Sequence, residues 1–303
     1  MFGTTVVTFG VHRAGTALLL GALALLPACS TQSSAASPSP SPIDTSPPAE
    51  VARPSPDVGR PPGGSVFVIV MENRTSREAL AQPYTAGLAA RYALATDYHA
   101  VAHPSLPNYL ALTSGTTYNV GDDGYHRLPA GGLGSQLTQR AIPWRAYMQG
   151  MGPDCLSDRG RYALKHDPFP FYGGTCPPNV VSFDSLDADL AAGTPRFAWI
   201  TPDLCNDGHD CSSTVADAFL RGLVPKVLAS PAWTSGGTLL LVWDEDDGSS
   251  TNQVAAIVAS PRLRAHRSAR PYDHYSLLAT VEDLLGVPRL GRAAAAQAMD
   301  DLL

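Results

Sequence analysis

Three stretches of this chain are apolar from end to end and then break off at acids, and that pattern restricts the fold more tightly than any other feature of its 303 residues. VFVIV (Val66–Val70) runs through Met71 into Glu72, Asn73 and Arg74. RFAWIT (Arg196–Thr201) is followed by Pro202 and Asp203. TLLLVW (Thr238–Trp243) is followed by Asp244, Glu245, Asp246, Asp247 and Gly248. A strand with one wet face alternates apolar and polar residues, whereas a run without alternation is a strand covered on both faces.

Helical patterns separate these runs. SREALAQPYTAGLAARYALAT reads as helix with a break at Pro83, and SLPNYLALTSG as a helix opening at Ser105 and stopping at Gly115. SQLTQRAIPWRAYMQGM holds a helix and then a short strand, TVADAFLRGLVPKVLAS is a helix, and VAAIVAS is a further strand. DHYSLLATVEDLLG places apolar residues at 277, 278, 281, 284 and 285, the spacing of one buried helix face. Residues 152–180, rich in Gly, Pro and Cys, read as a long loop. The expected fold is α/β: a three-layer sandwich, its mostly parallel central sheet carrying helices on both faces.

In such sheets ligands gather outside the carboxyl ends of the strands. Glu72 with Asn73, Asp203, and Asp244 with Glu245 would meet there. Converging carboxylates repel unless a cation lies among them, and oxygen donors suit a divalent metal. Any one of these acids reads equally well as a helix N-cap or a loop acid. The coincidence of three strand ends argues for a site. In HAVAHPSLPNYLALTSG, Ser105 stands at a helix start between two prolines, where backbone N–H groups and the helix dipole favour an anion. Asn108 follows three residues on and could turn an amide donor toward the same anion, although an N-cap role for Ser105 explains the serine alone.

The first 64 residues read as address and spacer. His12 and Arg13 precede GTALLLGALALLPA, an apolar run of signal-peptide length and short for a membrane span. LPACS closes it and resembles a bacterial lipobox with Cys29 as the lipid-bearing residue; a plain secretory signal with an incidental cysteine is the alternative. Residues 30–64 are dominated by Pro, Ser and Ala with no apolar period, the composition of a disordered tether. The catalytic domain is therefore expected over 65–303, exported and either anchored by lipid or secreted. Setting Cys29 aside leaves Cys155, Cys176, Cys205 and Cys211, which suit two disulfides in an oxidising compartment. Sequence order favours Cys155–Cys176 and Cys205–Cys211 among three possible pairings. A zinc site is the rival reading, without a C-x-x-C spacing to support it. The net charge of −6 and pI near 5.7 argue against a nucleic-acid partner.

These segments carry a family resemblance. VIVMENR is similar to the opening motif of the bacterial phosphoesterases that include acid phosphatases and phospholipases C, within the alkaline phosphatase superfamily. HPSLPNYLALTSG resembles the superfamily's nucleophile segment, TPDLCNDGHDC its Asp…His metal segment, VWDEDDG its paired-ligand segment and YDHYSLL its final His segment. YALKHDPF resembles a Lys-His-Asn-Pro-Phe motif of the acid-phosphatase branch, with Asp167 in place of Asn. The motifs fall in superfamily order from Val66 to about Gly286, and the overall similarity points to actinobacterial secreted acid phosphatases, including those acting on phosphoinositides.

The resemblance implies an alkaline-phosphatase-like sandwich and a metal-assisted phosphomonoesterase. Ser105 would be the nucleophile that passes through a phosphoserine, with Asn108 beside the transferring group. Glu72, Asn73, Asp244 and Glu245 would hold a divalent metal, and Asp203, His209 and His274 match a second site. Glu245 stands where many relatives have His, which leaves one or two metals open and allows His209 to be a general acid instead. Lys165 and His166 would contact substrate phosphate or else decorate a surface loop, and His103 reads as structural. A phospholipase C-type phosphodiesterase is the nearest alternative; the early end of the chain after its last motif favours monoesters. From another class, a non-catalytic lipoprotein binding phosphate or cations would keep the carboxylates without a nucleophile. The implied substrate is a phosphorylated small molecule or lipid, with the membrane engaged through the lipid anchor alone.

Overall fold

A computed structural model describes residues 64–192 and 195–303. The signal segment, Cys29 and the tether up to residue 63 lie outside the described residues, so the expectations placed on them are not addressed by the fold.

Eight strands form one sheet in the order β4-β3-β5-β1-β6-β7-β2-β8. At its centre β1 (Val66–Met71) lies between β5 (Phe197–Thr201) and β6 (Thr238–Trp243), parallel to both, with Val66 opposite Phe197 and Thr238. On the β5 side follow β3 (Trp144–Met148) and β4 (Val180–Ser182), also parallel. On the β6 side β7 (Ala256–Ala259) is antiparallel to both of its neighbours. Beyond it β2 (Ala93–His99) and β8 (His266–Asp273) pair in parallel. Seven strands therefore point one way, and their carboxyl ends share an edge.

Every residue of β1, β5, β6 and β7 is buried, which requires cover on both faces. One group of helices packs α3 (Ser105–Ser114) against α4 (Gly132–Gln139) and α8 (His274–Leu285). Another packs α1 (Ser76–Leu80), α2 (Pro83–Arg91), α5 (Leu186–Ala192), α6 (Ser213–Ala229) and α7 (Pro231–Thr234) among themselves. This is the three-layer α/β sandwich the apolar runs call for. Helix α3 is buried at all ten positions and ends at Gly115, whose φ of +72° is the left-handed cap glycine adopts at little cost.

Three strands escape a reading by periodicity: the three-residue β4, which follows the segment read as a long loop, and β2 and β8. YALAT has good helix formers, yet α2 stops at Arg91 and Tyr92 is already extended, so Ala93–His99 becomes β2 between β7 and β8. Tertiary pairing overrides a weak helical preference there. The edge strand β8 reads HRSARPYD, with six of its eight residues outside the core. Its charges and Pro271 suit an exposed edge and erase the apolar signal. Both disulfides, Cys155–Cys176 and Cys205–Cys211, pair as sequence order suggests. Among the described residues no helix is long and apolar enough to cross a membrane.

Candidate active site

The tips of β1 and β6 are stitched together beyond the sheet ladder. The Asp244 N–H donates to the Met71 carbonyl at 2.9 Å, and the Asn73 N–H donates to Asp244 Oδ1 at 3.1 Å. Asn73 adopts φ +48°, a left-handed conformation that asparagine tolerates better than most residues. Arg74 donates to the Asn73 carbonyl, the Cys211 carbonyl and Ser213 Oγ, fixing this tip to the disulfide loop and the start of α6. The Glu72 N–H donates to the Asp207 carbonyl at 3.0 Å, which draws the 203–211 loop over the β1 tip. Gly208 permits that approach: at φ +104° a Cβ there would lie 3.2 Å from the Glu72 carbonyl oxygen.

Ser105 opens α3 directly above this edge and is buried. Its hydroxyl lies 3.1 Å from Glu72 Oε2 and 3.0 Å from Glu245 Oε1. One hydroxyl proton cannot serve two ionised carboxylates fully, so the arrangement requires a further proton or a cation between them. Tyr109, one turn along α3, donates its O–H to Glu72 Oε1. His103 binds the other Glu245 oxygen through Nδ1 and the Ser249 carbonyl through Nε2 at 3.1 Å. The Ser249 carbonyl only accepts, so Nε2 carries a proton, and Nδ1 carries a second when Glu245 is ionised. Burial works against that charge, but the bonds to Glu245 and Ser249 outweigh it and raise the His103 pKa.

The acids are held in an environment hostile to their charge. Burial, then Asp244 and Asp207, push the Glu72 carboxyl well above the usual carboxylate range. Burial and the neighbouring Glu245 push Asp244 up to about 8. Asp207 also rises to about 8, chiefly through burial, with Asp244 and Asp203 adding to it. Glu245 is raised by burial, against the opposing bond from His103. Buried polar atoms ordinarily have partners. Yet Asn73 Oδ1, Asp244 Oδ2, Asp207 Oδ2 and His166 Nε2 are buried with no hydrogen-bond partner. Three of these are oxygens and one is an imidazole nitrogen, a donor set suited to a divalent cation. Ligand atoms of Glu72, His166 and His209 lie within 4.8 Å of one another and form a second candidate group.

The remaining expected residues fall into two classes. Lys165 donates to Asp123 Oδ2 at 2.8 Å and lies 3.1 Å from His209 Nε2, at a half-buried rim beside the acids. Burial opposes its charge, but Asp123, Glu72 and Asp244 together raise its pKa. His166 is not a surface decoration: it is buried, stacks on Tyr109 with ring centroids 5.2 Å apart, and lies 3.3 Å from both Glu72 and Asp207. Burial, Lys165 and His209 hold its pKa well below the usual histidine value, so the ring is neutral. The Asn108 amide is fully engaged in shaping residues 101–104. Its Oδ1 accepts from the Val101 and Ala102 N–H groups and its Nδ2 donates to the Ala102 and Pro104 carbonyls.

His274 is also fully occupied. Its Nε2 donates to the Asp244 carbonyl at 2.6 Å, which leaves Nδ1 to accept from the Tyr98 hydroxyl at 2.9 Å. Burial lowers its pKa to about 4, so the ring stays neutral, with no lone pair left for a metal; it positions the Asp244 backbone. Asp203 turns its Oδ1 onto the N–H groups of Cys205 and Asn206, the Asx pattern of a loop acid. The acid that reaches the edge is Asp207. Asp207, Tyr109, Asp123 and the His103–Glu245 pair have no separate signal in strand-end reasoning. Gly208 after Asp207 is the one cue, marking a close backbone approach.

Comparison with known proteins bears on the family and the fold. The sequence model of the phosphoesterase family matches residues 70–288. A phosphatidylinositol-3-phosphatase of Mycobacterium tuberculosis is 29% identical over 248 residues, covering 78% of this chain and 82% of that protein. An acid phosphatase of Aspergillus fumigatus is 29% identical over 248 residues, covering 75% of this chain but 56% of its own length. A solved structure from Vibrio parahaemolyticus, described as a protein in the alkaline phosphatase superfamily, superposes with a TM-score of 0.57 at 13% identity, covering 79% of this chain and 72% of that one. That likeness concerns the fold.

Proposed function

The chain belongs to the phosphoesterase family, and from that premise we propose that it is a phosphatase acting on phosphomonoesters, with Ser105 as nucleophile. The observation that carries this reading is the buried Ser105 hydroxyl, 3.0 and 3.1 Å from two carboxylates at a sheet edge that also holds buried oxygens without donors. Held by Glu72, Asn73, Asp244 and Glu245, a divalent cation would lower the pKa of the serine hydroxyl and screen the acids from an incoming phosphate dianion. Asp207, His166 and His209, with Glu72, would suit a second cation. The orphaned oxygens and imidazole nitrogen support both assignments.

The chain's own groups account for the rest. Glu245 Oε1 and Glu72 Oε2, 3.0 and 3.1 Å from the hydroxyl, are placed to take the serine proton. Ser105 Oγ attacks phosphorus in line; the Oγ–P bond forms as the bond to the leaving oxygen breaks. Lys165 and the Leu106 N–H are positioned to hold phosphate oxygens, where the transition state carries charge. His209 and Lys165 stand at the rim, where a leaving oxygen would take its proton, and water then hydrolyses the phosphoserine. Asn108 and His274 act as positioning residues, one for the loop entering α3 and one for the Asp244 backbone. The two disulfides support export, and a lipid anchor at Cys29 would hold the enzyme at a membrane. The name of the mycobacterial relative suggests a phosphoinositide substrate.

Purified protein assayed on an aryl phosphate monoester, an aryl phosphodiester and vesicles containing phosphatidylinositol 3-phosphate tests the reading. The monoester and the lipid should be hydrolysed and the diester spared. Ser105→Ala should lose at least about a thousandfold in turnover while retaining its fold, as for loss of a covalent nucleophile. Activity within a few-fold of wild type in that variant would rule out Ser105.

A further inference from the structure

The loop of residues 116–131, between α3 and α4, is largely exposed around Asp123, yet Asp123 turns inward and its two oxygens bridge two donors of the site. Oδ1 accepts the Leu106 N–H at 3.0 Å and Oδ2 accepts Lys165 Nζ at 2.8 Å. Leu106 follows Ser105, and its amide is one of the free donors that open α3; the N-cap residue, Pro104, supplies no side-chain bond. A helix-terminal N–H beside the nucleophile and an ammonium group are the partners a tetrahedral oxyanion takes.

We propose that Asp123 is a resident stand-in for phosphate, whose carboxylate occupies the oxyanion cradle of the free enzyme and must swing out when a phosphate group enters. This rests on the reading of Ser105 as nucleophile. Two features favour a displaceable stand-in over a fixed structural acid. Asp123 brings a further negative charge toward an edge already lined by Glu72, Asp244 and Glu245. An acid placed there for stability alone would be poorly sited. In addition, the loop has anchors and internal bonds besides those of Asp123. Asp122 Oδ1 accepts the Gly124 N–H and pairs with His126, while the Leu128 N–H donates to the Phe171 carbonyl and the Gly173 N–H to the Leu128 carbonyl. The side chain can leave the cradle with that loop frame intact. Competition from Asp123 weakens the hold on phosphate and speeds release of the inorganic product.

Calorimetric titration of inorganic phosphate into wild-type protein, Asp123→Asn and Asp123→Ala, with turnover measured in parallel, tests this. Both variants should bind phosphate about tenfold more tightly, the effect of removing one charge-assisted competitor. Phosphate inhibition of turnover should strengthen by the same factor. If Asp123 instead serves to position Lys165, both variants bind phosphate more weakly and the proposal fails. Unchanged affinity also overturns it, and if turnover persists the Ser105 reading survives. Absence of both phosphate binding and turnover in wild type overturns the two together. A crystal structure of wild-type protein with tungstate gives a check independent of how the variants fold. Asp123 should be off the Leu106 N–H with the oxyanion in its place; an oxyanion bound with Asp123 still on that amide contradicts the proposal.

Discussion

Asp217 and Asp244 are both buried aspartates, and they solve the cost of burial in opposite ways. Asp217, on α6, accepts the Tyr84 N–H at 3.0 Å through Oδ2, and the Thr85 N–H at 2.8 Å and Thr85 hydroxyl at 2.9 Å through Oδ1. It thereby caps α2, whose own N-cap residue Gln82 makes no side-chain capping bond. Asp244 ends β6 with one oxygen on the Asn73 N–H and the other without a partner. A buried acid that holds structure together is surrounded by donors supplied from its own chain. Asp244, with its second oxygen bare among other acids, is open to a group that arrives from outside. The α2–α6 face thus carries stability, and the carboxyl edge of the sheet carries chemistry at a cost in stability.

Substitution should separate the two regions. Asp244→Asn is expected to lower kcat/KM by about a hundredfold or more, as when a group stabilising transition-state charge is removed. It should at the same time raise the melting temperature of cation-free protein, because a buried acid held near pKa 8 no longer has to ionise or hold a proton. Asp217→Ala should do the reverse, costing about 2–3 kcal/mol of stability through three lost bonds and an uncapped helix while kcat/KM of the folded protein is unchanged. Turnover that survives Asp244→Asn, or that disappears in well-folded Asp217→Ala, would erase the distinction.

A smaller effect is expected at Asp167, which is buried and pushed up to about 8 by desolvation. Neutral, its carboxyl can donate to the Tyr162 hydroxyl, which in turn donates to the Cys155 carbonyl at 2.8 Å. An asparagine amide would make the same chain without a proton to lose, and asparagine is the residue of the motif that YALKHDPF resembles. The folded-state pKa lies above the unfolded value, so wild-type protein loses stability as pH rises toward 8. Asp167→Asn should therefore stabilise by on the order of 1–3 kcal/mol at pH 8, the gain fading below about pH 5. A gain independent of pH, measured by thermal melting, would place the effect elsewhere.

The sandwich and the chemical edge were legible because continuous apolar runs and the acids after them are local in sequence. Val66–Val70 and Thr238–Trp243 became central parallel strands, and Glu72, Asp244, Glu245 and Ser105 converged. Strand β8 was hidden because an edge strand exposes most of its side chains, and β2 because its alanine-rich sequence is neutral between helix and strand until it pairs. Within the site the differences from the sequence reading have separate causes. Asp203 is nearer in sequence to the end of β5, but the Cys205–Cys211 disulfide loop follows it, and the chain fold inside that loop brings Asp207 to the edge. Asn108 and His274 have chemically able side chains, and only the hydrogen bonds around them reveal that every donor and acceptor is engaged. Asp123 sits outside any strand end and is brought in by its loop.

The central claim is that the carboxyl edge is a cation site, and the pH dependence of cation-linked melting tests it most directly. Asp244 and Asp207 are raised to about 8, and Glu72 is raised with them. In cation-free protein the native state therefore holds protons that the unfolded chain has released above about pH 4, so stability is greatest at low pH and falls as pH rises toward 8. A bound divalent cation holds the same carboxylates ionised and removes that fall. Wild-type protein stripped with chelator and melted with and without calcium, magnesium, manganese or zinc should show a stabilisation that grows from pH 5 to pH 8 for at least one of them, and Asp244→Asn should lose most of it. A melting temperature indifferent to all four cations at both pH values, with no metal found by elemental analysis, would contradict the account.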